Sequence, residues 1–265
     1  MITRTLQVLL YIRKKIKDSF AMPPSLSLSD QAKLVAAKRA CEFVQDGMKL
    51  GLGTGSTASW MVRCLAERIN KEGLKVKAVP TSIQTSDLAE ELGIEVITLD
   101  SVGQLDLTID GTDEFDGDLN LIKGGGGALL REKIVSSASD KMIVIADNGK
   151  NVEQLGRFPL PVEVLSFGLK SSQSLIKTLL ESQDVSNNII KTRMVDDVPF
   201  VTDEGNYILD LYLEQIGDAD KLNSALNQVP GVVENGLFVK LCDMVIMGSP
   251  DGTLIEKTRR PNPRF

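Results

Sequence analysis

A chain of 265 residues, 42% hydrophobic and 25% charged, has material for one large or two modest domains with a sizeable core. Its net charge of −6 argues against a general nucleic-acid surface, and with no apolar run of 18 residues it offers no membrane helix. It has no histidine, which excludes Ser-His-Asp and Cys-His catalysis and removes the commonest zinc ligand, so proton transfer falls to a carboxylate, lysine, tyrosine, thiol or water.

Residues 1–24 stand apart, with five basic side chains and only Asp18 as an acid. Their basic, amphipathic character suits a transit peptide or a surface helix, but the favoured reading is an upstream start with Met22 as the working one. Beyond them, SLSDQAKLVAAKRACEFV predicts a helix capped by Ser29 or Asp30, with Ala32, Ala36, Ala40 and Phe43 at helical spacing. KLGLG predicts a strand, STASWMVRCLAERI a helix opening at Ser56, VKAVPTS a strand, TSDLAEELGI a helix ending at Gly93, and IEVITL another strand. LDLTID is expected as a strand, ALLREKIVSSAS as a helix and KMIVIAD as a strand. Strand and helix in alternation imply an open, mostly parallel, Rossmann-like α/β sheet with helices on both faces. Ligands then bind beyond the carboxyl ends of the strands, where GTGST, PTSIQTS, DGTDEFDGD and ADNGK should meet.

From about residue 155 the pattern changes. FPLPVEVL predicts a strand, SSQSLIKTLLES a helix, VPFVTDEGNYILDLYL a hairpin turning at Glu204-Gly205-Asn206, DADKLNSALNQV a helix, and GVVENGLF a strand. This order suggests a small α+β domain of the split βαβ, ferredoxin-like type. CDMVIMG, apolar on both faces, is expected as the last strand and returns to the first sheet. The resulting division is an extension (1–24), a catalytic α/β domain (25–154), a small domain (155–236) and a returning segment with a tail (237–265). Cys41, Cys64 and Cys242 are isolated in apolar contexts, as buried thiols of a reducing compartment are, and a cytoplasmic location is expected.

Three loops carry the candidate chemistry. GLGTGST exposes N–H groups at a helix start, as phosphate sites do, with Ser56 and Thr57 as added donors; a plain turn capped by Ser56 explains it equally well. It is neither the dinucleotide fingerprint nor a P-loop, since Pro80-Thr81-Ser82 closes the next strand without an acid and no Gly-Lys-Ser/Thr follows. A small phosphorylated ligand fits it best. Within DGTDEFDGD, Asp116 and Asp118 flank Gly117 as turn residues, and the spacing is wrong for an EF-hand. Asp110 and Asp113 come straight off a strand end, where they can accept hydrogen bonds from sugar hydroxyls. In KGGGGALLREK, Lys123 brings a positive charge and the glycines let the backbone approach a ligand. Glu132, on position alone, is best read as half of a surface ion pair.

Taken together, GLGTGST, IDGTDE, LIKGGGGALLREK, ADNGK and FPLPVEV, in this order and spacing, resemble the ribose-5-phosphate isomerase A family from about Leu28 to Thr253. The resemblance implies interconversion of D-ribose 5-phosphate and D-ribulose 5-phosphate in the non-oxidative pentose phosphate pathway, with no metal and no cofactor. It makes Glu132 the proton-transferring base and matches Asp110 and Asp113 to the paired aspartates that hold and help open the sugar. Lys123 matches the lysine before the glycine loop. The implied substrate contacts are Thr54, Gly55, Ser56 and Thr57 on the phosphate side, then Asp110, Gly111, Thr112, Asp113, Lys123, Gly124, Gly125, Gly126 and Lys150. Lys33 corresponds to a further phosphate-contacting lysine, and Thr112 stands where the family usually has alanine. The expected partner is the sugar phosphate itself, with no nucleic acid and no membrane, and the expected assembly is a homodimer or homotetramer. A non-catalytic sugar-phosphate-sensing domain is the alternative, and acyl-CoA transfer through a glutamate nucleophile is another; the first calls for a DNA-binding module that 24 residues are too short to supply.

Overall fold

The computed structural model describes residues 26–259, so the extension at 1–24 lies outside the described residues. Its main sheet has six strands. β1 (Lys49–Leu52), β2 (Lys77–Pro80), β3 (Leu107–Gly111), β6 (Met142–Asp147) and β14 (Met244–Gly248) run parallel in the order β14-β6-β3-β1-β2. β15 (Leu254–Thr258) closes the β14 edge antiparallel.

The central strands read as apolar runs because both faces are covered. On β6, Ile143 and Ile145 face a core shared with Ala36 and Ala40 of helix α1 (Leu28–Cys41) and Met61 and Leu65 of α2 (Ser56–Glu72). Met142, Val144 and Ala146 face the other way, onto Phe115, Leu121 and Phe238. Those three residues belong to a small antiparallel sheet of β4 (Glu114–Phe115), β5 (Leu121–Ile122) and β13 (Leu237–Phe238).

The second unit is β7 (Leu160–Val164), α6 (Leu169–Leu180), β8 (Ile189–Thr192), β11 (Tyr207–Tyr212), α7 (Ala219–Leu226) and β12 (Val232–Asn235). Its sheet is antiparallel throughout, in the order β12-β7-β11-β8, which is the split βαβ arrangement. Leu160, Val162, Leu209 and Leu211 bury against Ile176 and Leu180 of α6 and Leu222 and Leu226 of α7.

Several local expectations are corrected. The α1 cap is Ser27, whose Oγ accepts from Asp30 N at 3.1 Å, and not Ser29 or Asp30. IEVITL, expected as a strand, makes a single bridge from Val96 to Ala78, after which Leu99–Val102 turns helical (α4, following α3 at Ile83–Glu91). The ladder runs Ala78 N to Glu95 O and Ile97 N to Ala78 O. The next donor on β2 is Pro80, which has no N–H, so pairing stops there.

The expected hairpin turn at 204–206 forms, with Thr202 N donating to Asn206 O and Gly205 N to Thr202 O at 2.9 Å each, but its arms share only the bridge Val201–Tyr207. A further hairpin, not anticipated, joins β9 (Met194–Val195) to β10 (Val198–Pro199) through Asp196 and Asp197, both left-handed at φ 49° and 62°. That is the turn geometry that matches strand twist, and aspartate tolerates it. β8 and β15 were not anticipated; both are edge strands with largely exposed side chains, so neither shows an apolar run.

Candidate active site

The ends of β1, β3 and β6 and the glycine run bound a cavity of about 380 Å³. Its lining includes Lys33, Thr54, Gly55, Ser56, Thr57, Gly111, Thr112, Asp113, Lys123, Gly124, Gly125, Gly126, Glu132 and Lys150. Every sequence-predicted site residue except Asp110 is therefore on one wall or another. Ser29 and Asp147 complete the lining and were not anticipated as site residues, although Asp147 ends its strand much as Asp110 does. A larger open hollow of about 1520 Å³, bounded by Asp116, Arg157, Glu214 and Asp220, shares none of these residues; its charges are solvated, as in the Lys240–Asp220 pair.

The glycine-rich turn after β1 is shaped from behind. A methyl group on Gly53 would overlap the carboxylate of Asp110, so only glycine lets β1 pass that close. Thr54 Oγ1 points away from the cavity into a cluster with Thr81 Oγ1 (2.7 Å), Ser82 Oγ (2.8 Å) and Thr85 Oγ1 (3.2 Å). The PTSIQTS loop thus backs the turn and does not line the cavity. Gly55, not Ser56, occupies the cap position of α2 and makes no side-chain cap bond. The first-turn N–H groups of a 17-residue helix are left facing the cavity, a setting that favours an anion. Lys33 sits there too, donating to Ser56 Oγ at 3.1 Å.

The acidic loop resolves into separate tasks. Glu114 is buried and structural, accepting from Gly156 N (2.9 Å) and Phe158 N (2.6 Å). Asp116 shapes its own turn, accepting from Asp118 N and Asn120 N. Asp113 Oδ2 accepts from Gly125 N at 2.7 Å, joining the acidic loop to the glycine run. Thr112 donates its hydroxyl to Glu114 O (2.7 Å) and Ile122 O (3.0 Å). Because that hydroxyl serves the backbone, Thr112→Ala is expected to leave kcat and KM nearly unchanged and to cost about 1 kcal/mol in a urea melt.

The charged centre lies deepest. Lys123, 2% exposed, places Nζ 3.0 Å from Asp110 Oδ2 and 3.2 Å from Glu132 Oε1, and donates to Gly111 O at 2.6 Å. Asp110 is 0% exposed, with Oδ1 accepting from Gly111 N (2.7 Å) and Thr54 N (3.1 Å). Glu132 belongs to the first turn of α5 (Leu129–Ser137) and is 4% exposed, so the surface-pair reading fails. The glycine run folds α5 back onto Lys123. Lys133, next to Glu132, holds the helix in place by donating to Glu234 Oε1 (2.8 Å) and Asn235 O (2.6 Å) on β12.

Among the described residues, Glu132 Oε2 has no hydrogen-bond partner. Burial, opposed by Lys123 and reinforced by Asp110, pushes the Glu132 carboxyl up to about 8. Burial also raises Asp110 against the pull of Lys123. Burial works to lower Lys123, but the carboxylates of Asp110 and Glu132 outweigh it, and the group is held as an ammonium. Among the described residues no group of three or more Cys, Asp or Glu side chains is arranged to hold a metal ion, and no helix is long and apolar enough to cross a membrane.

Carboxylates, lysines and hydroxyls gathered at the strand ends of a mostly parallel sheet make this the site of an α/β enzyme. Residues 77–252 match the family model of ribose 5-phosphate isomerase A (phosphoriboisomerase A). The ribose-5-phosphate isomerase A of Ruegeria pomeroyi is 62% identical over 231 residues, covering 87% of this chain and 88% of its own. That of a Jannaschia species is 56% identical, covering 88% and 89%. The ribose 5-phosphate isomerase structure from Plasmodium falciparum superimposes with a TM-score of 0.82 at 37% identity, covering 88% of this chain and 100% of its own. The type A structure from Methanocaldococcus jannaschii gives 0.77 at 40% identity, covering 85% and 97%. The chain belongs to the ribose 5-phosphate isomerase A family.

Proposed function

We propose that the protein interconverts D-ribose 5-phosphate and D-ribulose 5-phosphate, with Glu132 as the base. The observation that carries this reading is a buried carboxylate at the cavity wall, one oxygen on Lys123 and the other unpartnered. Carboxylates raised by burial are the bases suited to removing a proton beside a carbonyl near neutral pH. Glu132 takes the proton from C2 of the open-chain aldose, leaving a cis-enediolate whose two oxygens bear the developing charge. A proton passes from O2 to O1, and Glu132 returns its own to C1, giving the ketose with no net change in protons.

Lys123, already an ammonium and already desolvated, stabilises that charge without reorganising. Asp110 is buried behind the wall, so its task is to hold Lys123, while Asp113 on the wall takes the sugar hydroxyls. The phosphate sits between Lys33, Lys150 and the α2 N-terminus, and its binding aligns the distant reacting carbons. A solved relative is described in complex with phospho-erythronic acid, whose carboxylate resembles the paired oxygens of an enediolate. The relatives' names lend the sensor alternative no support.

The α/β unit of 25–154 with the returning 237–265 carries the chemistry in this reading, and 155–236 flanks it. Three buried free thiols suit a cytoplasmic location, and the proposed assembly is a homo-oligomer. Formation of ribulose 5-phosphate from ribose 5-phosphate in excess EDTA tests the function; phosphate binding without turnover would reject it. Lys33→Gln and Lys150→Gln are each expected to raise KM by about tenfold, the worth of a hydrogen bond to a charged group, with kcat little changed.

A further inference from the structure

The catalytic residues do not themselves explain what holds four consecutive glycines in one conformation. Glycine loses more freedom on ordering than any other residue, and Gly124 and Gly127 sit at φ 100° and 82°. The restraint comes from the four-stranded sheet of the second unit. Arg193, just past β8, donates through Nη1 to Gly124 O at 2.9 Å and Gly125 O at 3.1 Å. Its other edge is clamped by Asp210 on β11, through Nε at 3.0 Å and Nη2 at 2.5 Å. Both side chains of this pair are only 15% exposed. Phe200, whose N–H donates to Arg193 O at 2.9 Å, packs its ring so close to Gly127 that a methyl group there would overlap it.

Peptide planarity turns these two contacts into a statement about the cavity. In a trans peptide the N–H points opposite to the preceding C=O. With Gly124 O on Arg193, Gly125 N–H faces the other way, and it does donate to Asp113 at 2.7 Å. With Gly125 O on the same nitrogen, Gly126 N–H is turned to that same side, where Asp113 and Gly126 line the cavity.

We infer that Arg193, held by Asp210, is a positioning residue for the reaction: it holds the glycine run so that Gly125 N–H fixes Asp113 and Gly126 N–H faces the reacting end of the sugar. It lies 69 positions from Gly124, between β8 and β9, and touches no cavity space itself. This rests on the proposed isomerase function, so the parent enzyme's turnover is the control. The test compares Arg193→Gln and Asp210→Asn with the parent, measuring kcat, KM, and inhibition by phospho-erythronic acid and by inorganic phosphate.

In both variants kcat is expected to fall about 10- to 100-fold, less than the 10²–10³ typical of deleting an oxyanion donor, because the amides are misdirected and not removed. Inhibition by phospho-erythronic acid weakens alongside kcat, while inorganic phosphate, held at the far end, inhibits as before. Unchanged kcat in a folded variant overturns the inference, and so does an equal loss of phosphate inhibition, which would mean general damage. If Arg193→Gln does not fold, Asp210→Asn decides by the same readings. An inactive parent removes the isomerase function and this inference with it, whereas an active parent with unaffected variants removes the inference alone.

Discussion

Glutamine at position 132 is expected to lower kcat by about 10²–10⁴-fold, the range that a positioned general base contributes, while ribose 5-phosphate still binds. The amide keeps the size of the carboxyl and can still meet Lys123, so the cavity is retained and only the base is lost. In the parent, log(kcat/KM) should climb with pH and level off near 8, where Glu132 becomes ionised. Stability runs the other way. Because the folded carboxyl titrates above the ordinary glutamate value of 4.5, its contribution to stability is complete below that value and is lost as pH rises through about 8. Glu132→Gln should therefore gain thermal stability relative to the parent between pH 5 and 9. A flat difference across that range, or a variant with near-parent kcat, would remove Glu132 from the role of buried base.

Methionine at position 123 is expected to have the largest effect on folding. Lys123 is the cation against which Asp110 and Glu132 are both buried, at 3.0 and 3.2 Å. Removing one partner of a buried ion pair leaves uncompensated charge and typically costs about 3–5 kcal/mol. Methionine fills much the same volume, so the loss is electrostatic and not a cavity effect. It should then depend on pH: small near pH 5, where the carboxyls can take up protons, and large near pH 8, where they must ionise or resist doing so. Urea melts at the two pH values measure this, and equal losses at both would show that the lysine serves packing alone. Turnover should vanish as well, since the enediolate loses its charged neighbour.

Some of this was legible in the residues. Apolar runs such as MIVIAD marked the central strands, because a parallel strand buried on both faces cannot alternate. Glycines and carboxylates after those runs marked the rim, because strand ends in such a sheet converge. Edge strands were lost for the same physical reason in reverse: IIKT and LIEKT face solvent, so nothing in their composition demands a sheet. The pairing of IEVITL failed on a single absent N–H, at Pro80, in a partner strand that periodicity never consults.

The sequence by itself determined the chemical vocabulary: with no histidine, the proton had to move through a carboxylate, lysine, tyrosine, thiol or water, and the order of five motifs tied the chain to one family. Only the tertiary structure decided which carboxylate is buried against the lysine at the cavity wall. Glu132 on a helix is a surface residue by default, and it became a buried one because the glycine run folded α5 onto Lys123 and Asp110. A carboxyl's proton affinity depends on burial and neighbouring charge within a few ångströms, and those neighbours come from positions 110, 113 and 123 along a chain that brings them together only when folded.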